Sequence, residues 1–381
     1  MNFSPSSAAR GAFGALLVLV AGCGEDDGST DFERGQAAYE VRDLAKAERF
    51  FEKSLARAPE DPDRLLLLAR VRLDLGEIAA ARELVTRAAA VAGKDSDVML
   101  FGAQVAWHAK DYEAAAETFS AVADRADFDA ATRAEGFAGL GIVEMTCNNR
   151  HRARIAFLRA IRLDRRCASA WYHLAQLYRD GFGYPEAALE NFEIFVRLEA
   201  SASPRVQRVQ RSDIPGLKEA ITRAAADRPG VAKRDSSACA AEISKAEAAL
   251  KKRTYKPACQ HYEAALKADP ISYPAALGLA QTQLKVDPGK GGQAKAFESY
   301  KLACALRPSA ISTFLTAGSM AAKLGYHAQA VEIYSRAVAA SPASREALDG
   351  LIRALRKVGN KASVAQAYQE YRDSLTAPKR K

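Results

Sequence analysis

The side chains that could perform catalysis or bind a metal are scattered along this 381-residue sequence. No two of its five histidines have the spacing of metal ligands; they are His108, His151, His173, His261 and His327. The stretch Gly289-Lys290-Gly291-Gly292 could cradle a phosphate, but it lacks the preceding strand and the Ser or Thr that should follow the lysine. No Ser/His/Asp set or pair of carboxylates can be assembled either. We therefore predict no enzymatic activity, no metal site and no cofactor.

Cys23 has more definite chemistry. It follows residues 11–22, a run of twelve without a charge, and Arg10 precedes that run. A membrane-spanning helix needs about 20 apolar residues, whereas the apolar part of a secretory signal peptide is about this short. Two small residues, Ala21 and Gly22, give a peptidase access to the backbone directly before the nucleophilic thiol of Cys23.

The stretch Leu19-Val20-Ala21-Gly22-Cys23 resembles the lipobox of bacterial lipoproteins. This resemblance implies that residues 1–22 are a signal peptide, that Cys23 becomes the lipid-bearing first residue, and that residues 23–30 form a short acidic tether. Each buried methylene contributes about 0.8 kcal/mol, so two or more acyl chains would anchor the protein stably. Gly24 stands where aspartate would signal inner-membrane retention, so we expect an outer-membrane lipoprotein facing the periplasm. The alternative is a cleaved signal on a soluble exported protein.

A second pattern recurs about every 34 residues: a small residue, an aromatic residue four positions later, and a small residue three positions beyond that. The clearest copies are Ala47/Phe51/Ser54, Ala153/Phe157/Ala160, Ala258/Tyr262/Ala265, Ala296/Tyr300/Ala303 and Ala330/Tyr334/Ala337. Weaker copies are Ala81/Val85/Ala88, Ala115/Phe119/Val122, Ala188/Phe192/Phe195 and Val364/Tyr368/Tyr371. Residues three and four apart share one face of a helix, so each copy predicts a helix packed closely against its neighbours.

These copies resemble the tetratricopeptide repeat, a 34-residue pair of antiparallel helices. The resemblance implies an all-α fold, a right-handed superhelical solenoid of about nine such units. We place five units in residues 31–198, four units with a C-terminal capping helix in residues 239–376, and a basic tail in residues 377–381. Residues 199–238 lack the pattern and are either a degenerate repeat, with a helix near residues 215–227, or a linker.

Charge divides the sequence. Residues 24–198 carry a net charge of −6 and residues 239–381 a net charge of +11. The tether would hold the acidic half near the membrane, so the basic half would point away from it. This polarity fits an acidic partner such as a protein, a glycan or a cell-wall polymer. The alternative is that the basic half is only a solubilising surface.

In the resembled family, set positions on the first helix of each pair face a groove that binds partners. In the first half these positions include Leu66, Arg70, Leu73, Leu100, Gln104, Trp107, His108, Ile142, Met145, Tyr172 and Gln176. Trp107 is the strongest candidate for a binding anchor, because large aromatic residues dominate many interfaces. The alternative is that a neighbouring helix covers it.

In the second half, one groove position carries a lysine in four successive units. With two nearby arginines these residues form what we call the basic ladder: Lys251, Lys285, Lys323, Arg353, Arg356 and Lys357. The ladder could bind an anion, or each lysine could simply complement the dipole at the end of its helix.

We therefore expect a lipid-anchored scaffold that binds another envelope protein or peptide segment. The resemblance implies roles such as piloting secretin or type IV pilus assembly, or recruiting cell-wall enzymes. The alternative is a module that binds an anionic envelope polymer through the basic ladder. Nucleic acid is a poor partner for an exported protein. With Cys23 lipidated, five cysteines remain in an oxidising compartment, and we expect no disulfide among them.

Overall fold

The computed structural model of the protein describes residues 29–227, 234–359 and 361–375. Cys23, the predicted signal peptide 1–22, the basic tail 377–381 and all but the last two residues of the tether lie outside the described residues. The described part is helical and contains no strand, which confirms the prediction of an all-α fold.

The helices are numbered in chain order. The first eight are α1 Ser29–Glu40, α2 Leu44–Arg57, α3 Pro62–Asp74, α4 Ile78–Ala92, α5 Ser96–His108, α6 Tyr112–Asp124, α7 Ala130–Thr146 and α8 Arg150–Leu163. The next four are α9 Ala168–Gln176, α10 Pro185–Leu198, α11 Pro204–Arg208 and α12 Ile214–Ala226. The last eight are α13 Ser236–Lys251, α14 Tyr255–Ala268, α15 Tyr273–Val286, α16 Lys290–Leu306, α17 Ile311–Lys323, α18 His327–Ala340, α19 Arg345–Lys357 and α20 Ala362–Ser374.

Consecutive helices pack in pairs. In most pairs the two helices pack closely on each other, as α3 does with α4 and α13 with α14, and most second helices also pack on the next pair. The first helices of neighbouring pairs touch as well, as α3, α5 and α7 do. This arrangement is that of a helical-repeat solenoid. The chain divides into two compact units, Met1–His173 and Leu174–Lys381, a boundary 25 residues before the end of the first predicted block.

The repeated pattern forms the core of both units. The first small residue of eight copies is completely buried, from Ala47 to Ala330, and the aromatic residues between the small ones are at most 5% exposed. The last copy differs, because Val364 is half-buried while Ala365 beside it is 1% exposed. The spacing therefore predicted both the helices and the faces on which they pack.

Close approach between helices depends on glycine opposite the aromatic residues. A Cβ atom added at Gly139 on α7 would lie 2.3 Å from the ring of Phe119 on α6. In the second unit, a Cβ atom at Gly350 on α19 would lie 2.2 Å from the ring of Tyr334, and one at Gly318 on α17 would lie 2.8 Å from it. The ring of Tyr334 thus fills the space between α17 and α19, the first helices of neighbouring pairs. Only glycine at these two positions leaves room for the ring.

Four of the turns within pairs require a left-handed backbone from a residue other than glycine. Arg42, Lys110, Asn148 and Arg253 have φ between 55° and 64°, while Gly76 and Gly325 occupy the equivalent place in other pairs with φ of 84° and 83°. A residue with a Cβ atom adopts this conformation at a cost in free energy. The tight turn is therefore imposed by the packing of the pair.

Residues 204–226, in the segment that lacks the pattern, form one continuous helix that contains a π-helical turn. α11, a π-helical turn at Val209–Asp213 and α12 follow one another without a break, and α12 packs against α10. α12 begins one residue before the helix expected near residue 215. A second π-helical turn, Leu177–Phe182, continues α9, and Arg179 in that turn donates a hydrogen bond of 2.5 Å to Asp213. This ion pair connects the two π-helical turns within the second unit.

Candidate partner-binding groove

The predicted groove residues lie on the first helices of successive pairs. α3 carries Leu66, Arg70 and Leu73, α5 carries Leu100, Gln104, Trp107 and His108, α7 carries Ile142 and Met145, and α9 carries Tyr172 and Gln176. All but Gln176 belong to the first compact unit. The structure thus brings the residues of α3, α5 and α7 together on neighbouring helices.

These residues divide by burial. Leu66, Leu100, Ile142 and Tyr172 are at most 7% exposed. Little of their surface is available to a partner. The remaining seven are half-buried, and these can contact both the core and a bound segment: Arg70, Leu73, Gln104, Trp107, His108, Met145 and Gln176.

Trp107 is held in one orientation at the end of α5. Its indole Nε1–H donates a hydrogen bond of 3.1 Å to Oγ1 of Thr146 on α7, and that hydroxyl donates in turn to the carbonyl of Ile142. The ring also lies edge-on to His108, with 4.8 Å between the ring centroids. Burial lowers the pKa of His108. Trp107 is therefore partly covered by the next pair, as the alternative interpretation allows, and yet keeps an accessible surface.

The first unit also carries a line of carboxylates that sequence reasoning missed. Asp63 and Asp97 are the second residues of α3 and α5, and Glu135 follows on α7. We call these three residues the acidic line. Their spacings of 34 and 38 residues match those of the repeat, so the signal was present in the sequence. Glu135 lies in the second turn because α7 has four more residues than α5.

Partial desolvation raises the pKa of all three carboxyls of the acidic line, although Asp63 and Asp97 are exposed and only Glu135 is half-buried, and repulsion between carboxylates adds to the effect. The pKa of Glu135 reaches about 7, and Asp97 makes the largest contribution of any charged residue. Asp97 also raises the pKa of Asp63, so Asp97 lies close to both of the others. Glu135 is therefore only partly ionised at neutral pH, because its surroundings disfavour the negative charge.

Arg70 is the cation that opposes this repulsion. It lowers the pKa of both Asp97 and Glu135, and its guanidinium lies 5.2 Å from the centroid of the Phe101 ring. Within the described part of the chain, none of the three carboxylates forms an ion pair at salt-bridge distance. One cation beside three carboxylates leaves this surface short of positive charge.

The basic ladder lies in the second unit. Each of its lysines stands in the last turn of the first helix of a pair, on α13, α15, α17 and α19 in turn. All six ladder residues are exposed, and within the described ranges the four lysines form no ion pair. Arg353 lowers the pKa of the Tyr334 hydroxyl through a hydrogen bond, although burial raises that pKa overall. Both interpretations, anion binding and a dipole effect, agree with these positions.

The remaining chemical groups are dispersed. The five described cysteines are all unpaired, and burial raises the pKa of Cys167 and Cys304 to about 12, which makes them poor nucleophiles. Where the structure describes the chain, no three His, Cys, Asp or Glu side chains are placed to hold a metal ion. The described helices also include none with the length and apolar character needed to span a membrane. The expectations of no catalysis and no cofactor remain predictions.

Two family models match the chain. Residues 38–98 match the tetratricopeptide repeat, and residues 288–377 match the bacterial transcriptional activator domain. The first match covers α2 to α4 and the first three residues of α5, and the second covers α16 to α20. Among curated protein sequences, none matches this chain significantly.

Several solved structures resemble parts of the chain. MamA from Desulfovibrio magneticus RS-1, residues 41 to the end, is 18% identical, with 47% of this chain and 98% of that chain covered and a TM-score of 0.37. Pseudomonas aeruginosa pilF is 15% identical over 68% of this chain and 98% of that chain, with a TM-score of 0.40. The C-terminal part of a TPR repeat-containing protein from Cytophaga hutchinsonii is 15% identical over 84% and 99%, with a TM-score of 0.32. Sequence identities and TM-scores this low say nothing about function.

Proposed function

We propose that this chain, a tetratricopeptide repeat protein, is a scaffold that binds a lysine- or arginine-bearing segment of another protein along the first unit. Its helix pairs are those of a protein-interaction fold. The face formed by α3, α5 and α7 presents the acidic line together with the half-buried groove residues.

The acidic line carries this proposal. Its three carboxyls have raised pKa values because of partial desolvation and of neighbouring acids, although only Glu135 is half-buried, and Arg70 opposes the effect at Asp97 and Glu135. A basic side chain bound beside them would relieve that repulsion and return the pKa values toward their ordinary range. Binding of a cation is therefore favoured here by the electrostatics of the free protein.

Trp107 supplies the apolar complement. Its hydrogen bond to Thr146 fixes the ring, so a partner that packs on the indole need not immobilise it. Gln104 lies one turn before Trp107 on α5 and offers an amide for hydrogen bonds to the backbone of an extended segment. A basic segment with an apolar residue would match both features.

The cellular place of this scaffold is also a proposal. The resemblance to a lipobox at Cys23 supports a lipid anchor, and the signal peptide predicted before it supports export. We propose an outer-membrane lipoprotein that faces the periplasm and acts in envelope assembly. Labelling of cells with a palmitate analogue tests the anchor: label on the wild-type chain and none on Cys23→Ala is expected, whereas an unlabelled, exported wild-type chain would overturn it.

Site-directed photo-crosslinking tests the groove. A photoreactive residue at Gln104 should capture a partner from intact cells, whereas the same residue at Glu117, exposed on the second helix α6, should not. In the Gln104 background, Asp97→Asn/Glu135→Gln should reduce capture strongly. Equal capture from both positions, or capture unaffected by the double substitution, would contradict the proposal.

A second candidate function is binding of an anionic envelope polymer by the basic ladder. It is favoured by four exposed lysines at equivalent helix ends, none of them in an ion pair with a described residue. Changing all four to glutamine should abolish polymer binding and its salt dependence, while Gln104 crosslinking stays unchanged. Unchanged binding to purified peptidoglycan or another anionic polymer would exclude this candidate.

A further inference from the structure

The second compact unit contains a cavity of about 250 Å³ that the proposed groove does not use. One wall is the start of α10, and the facing walls come from the turn after α16 and from α17 and α18. Pockets for whole small molecules are usually about 300 to 1,000 Å³. This volume suits a single side chain.

The inside of the cavity is apolar. Tyr184 and Phe314 form part of the lining, together with Ala187, Ala339 and Ala340. Tyr184 and Phe314 are 7% and 2% exposed, so their rings are fixed by the core. Such walls suit the aliphatic stem of a long side chain.

The rim is acidic. Glu186 and Glu190 line the cavity one turn apart on α10, and both are exposed. Neither forms an ion pair with any residue that the structure describes. Two carboxylates on one edge of an apolar cavity provide acceptors for an ammonium or guanidinium group.

Arg336 is the only cation in the lining, and its charge is already engaged. Its Nη2 donates a hydrogen bond of 3.2 Å to Glu332, and its guanidinium lies 5.2 Å from the centroid of the Tyr184 ring. Its Nε–H is buried and has no acceptor among the described residues. That N–H can donate to a neutral carbonyl, such as one on the backbone of a bound peptide.

We propose that this cavity binds one lysine or arginine side chain of a partner polypeptide. The stem lies between the two rings, the cationic head meets Glu186 and Glu190, and the adjoining backbone carbonyl accepts from Arg336. Charge complementarity selects this occupant, because the rim holds two unpaired carboxylates whereas the charge of Arg336 is shared with Glu332. The site is separate from the acidic line and does not depend on the function proposed for the first unit.

Alanine methyl NMR on the full chain tests the proposal, because Ala187, Ala339 and Ala340 lie in the wall. The probes are N-acetyl-lysine methylamide and N-acetyl-arginine methylamide, and the uncharged control is N-acetyl-citrulline methylamide. We expect saturable shifts of these three methyl signals with at least one cationic probe, and none with citrulline. Equal shifts with citrulline, or binding of N-acetyl-glutamate methylamide instead, would overturn the proposal.

Two variants sharpen the test. Glu186→Gln/Glu190→Gln should weaken binding about tenfold or more, since hydrogen bonds to charged groups are lost. The control Glu263→Gln/Glu346→Gln removes the same charge from exposed positions outside the lining and should bind as the wild type does. Ala340→Leu, at an exposed edge of the wall, should block every probe. Equal affinity in the rim variant and its control would refute the role of the two glutamates.

Discussion

The two compact units are built from the same helix pair but place their charges in opposite ways. In the first unit, Asp63 and Asp97 lie in the first turn of their helices and are exposed, and the acidic line that they begin ends at the half-buried Glu135. In the second unit, Lys251, Lys285 and Lys323 lie in the last turn of theirs and are exposed.

Both arrangements complement the helix dipole, so the dipole cannot distinguish them. Burial separates Glu135, which is half-buried, from the exposed lysines. A charge held out of water interacts strongly with its neighbours, whereas an exposed one is screened. A charge of the repeat is therefore strained where neighbouring helices cover it, as at Glu135.

The largest effect should come from Glu135. The folded protein holds its pKa near 7, above the ordinary 4.5, so the folded state binds more protons than the unfolded state between these values. The free energy of unfolding therefore falls as pH rises through this window. Glu135→Gln should stabilise the protein by roughly 2 to 3 kcal/mol at pH 8 and by almost nothing at pH 4.

Urea unfolding at both pH values measures this difference. Glu117→Gln on α6 is the matched control, because Glu117 is exposed, and it should change little at either pH. If Glu135→Gln has the same effect at pH 4 as at pH 8, the carboxyl is not strained and the contrast between the units fails.

Stability should depend equally, in both units, on glycine at the contacts between helices. Gly139→Ala and Gly350→Ala would each force a methyl group within about 2.3 Å of an aromatic ring. We expect a loss of about 1 to 3 kcal/mol from overpacking in each case. Thermal unfolding checks this, and Gly216→Ala, whose methyl group would meet nothing within 4 Å, serves as the control. A tolerated substitution in one unit alone would show that its pairs are looser.

A smaller gain should follow from relieving the left-handed turns. Lys110→Gly in the first unit and Arg253→Gly in the second remove a Cβ atom where φ is 64° and 55°. The strain relieved exceeds the entropy lost by glycine, so each change should stabilise the protein by up to about 1 kcal/mol. A lower unfolding midpoint for either variant would mean that the replaced side chain makes contacts worth more than the strain.

The smallest effect separates the two interpretations of the basic ladder. If the lysines only complement helix dipoles, each Lys→Gln change on α13, α15, α17 or α19 should cost about 0.3 to 1 kcal/mol at low salt. If they serve binding, stability should change by less than that while polymer binding is lost. Unfolding in low and high salt, measured beside a polymer-binding assay, decides between them.

The sequence predicted much of the fold because the packing rule is local. Ala330, Tyr334 and Ala337 share one helix face whatever surrounds them, and the recurrence of this triplet predicts the next helix pair. It predicted a helix near α12 but not α11 or the π-helical turn between them, because that segment carries no repeated triplet and is held by Arg179 from outside it.

By itself, then, the sequence determined the helix pairs, their core faces and the opposite charges of the two halves, since spacing and composition are enough for these. The tertiary structure decided which charges are strained and where a cavity opens. The pKa of Glu135 depends on residues from other helix pairs, such as Asp97, and the cavity depends on α10 lying near α18. Burial and electrostatic interaction are properties of distances in space, and such distances are fixed only when the pairs are packed.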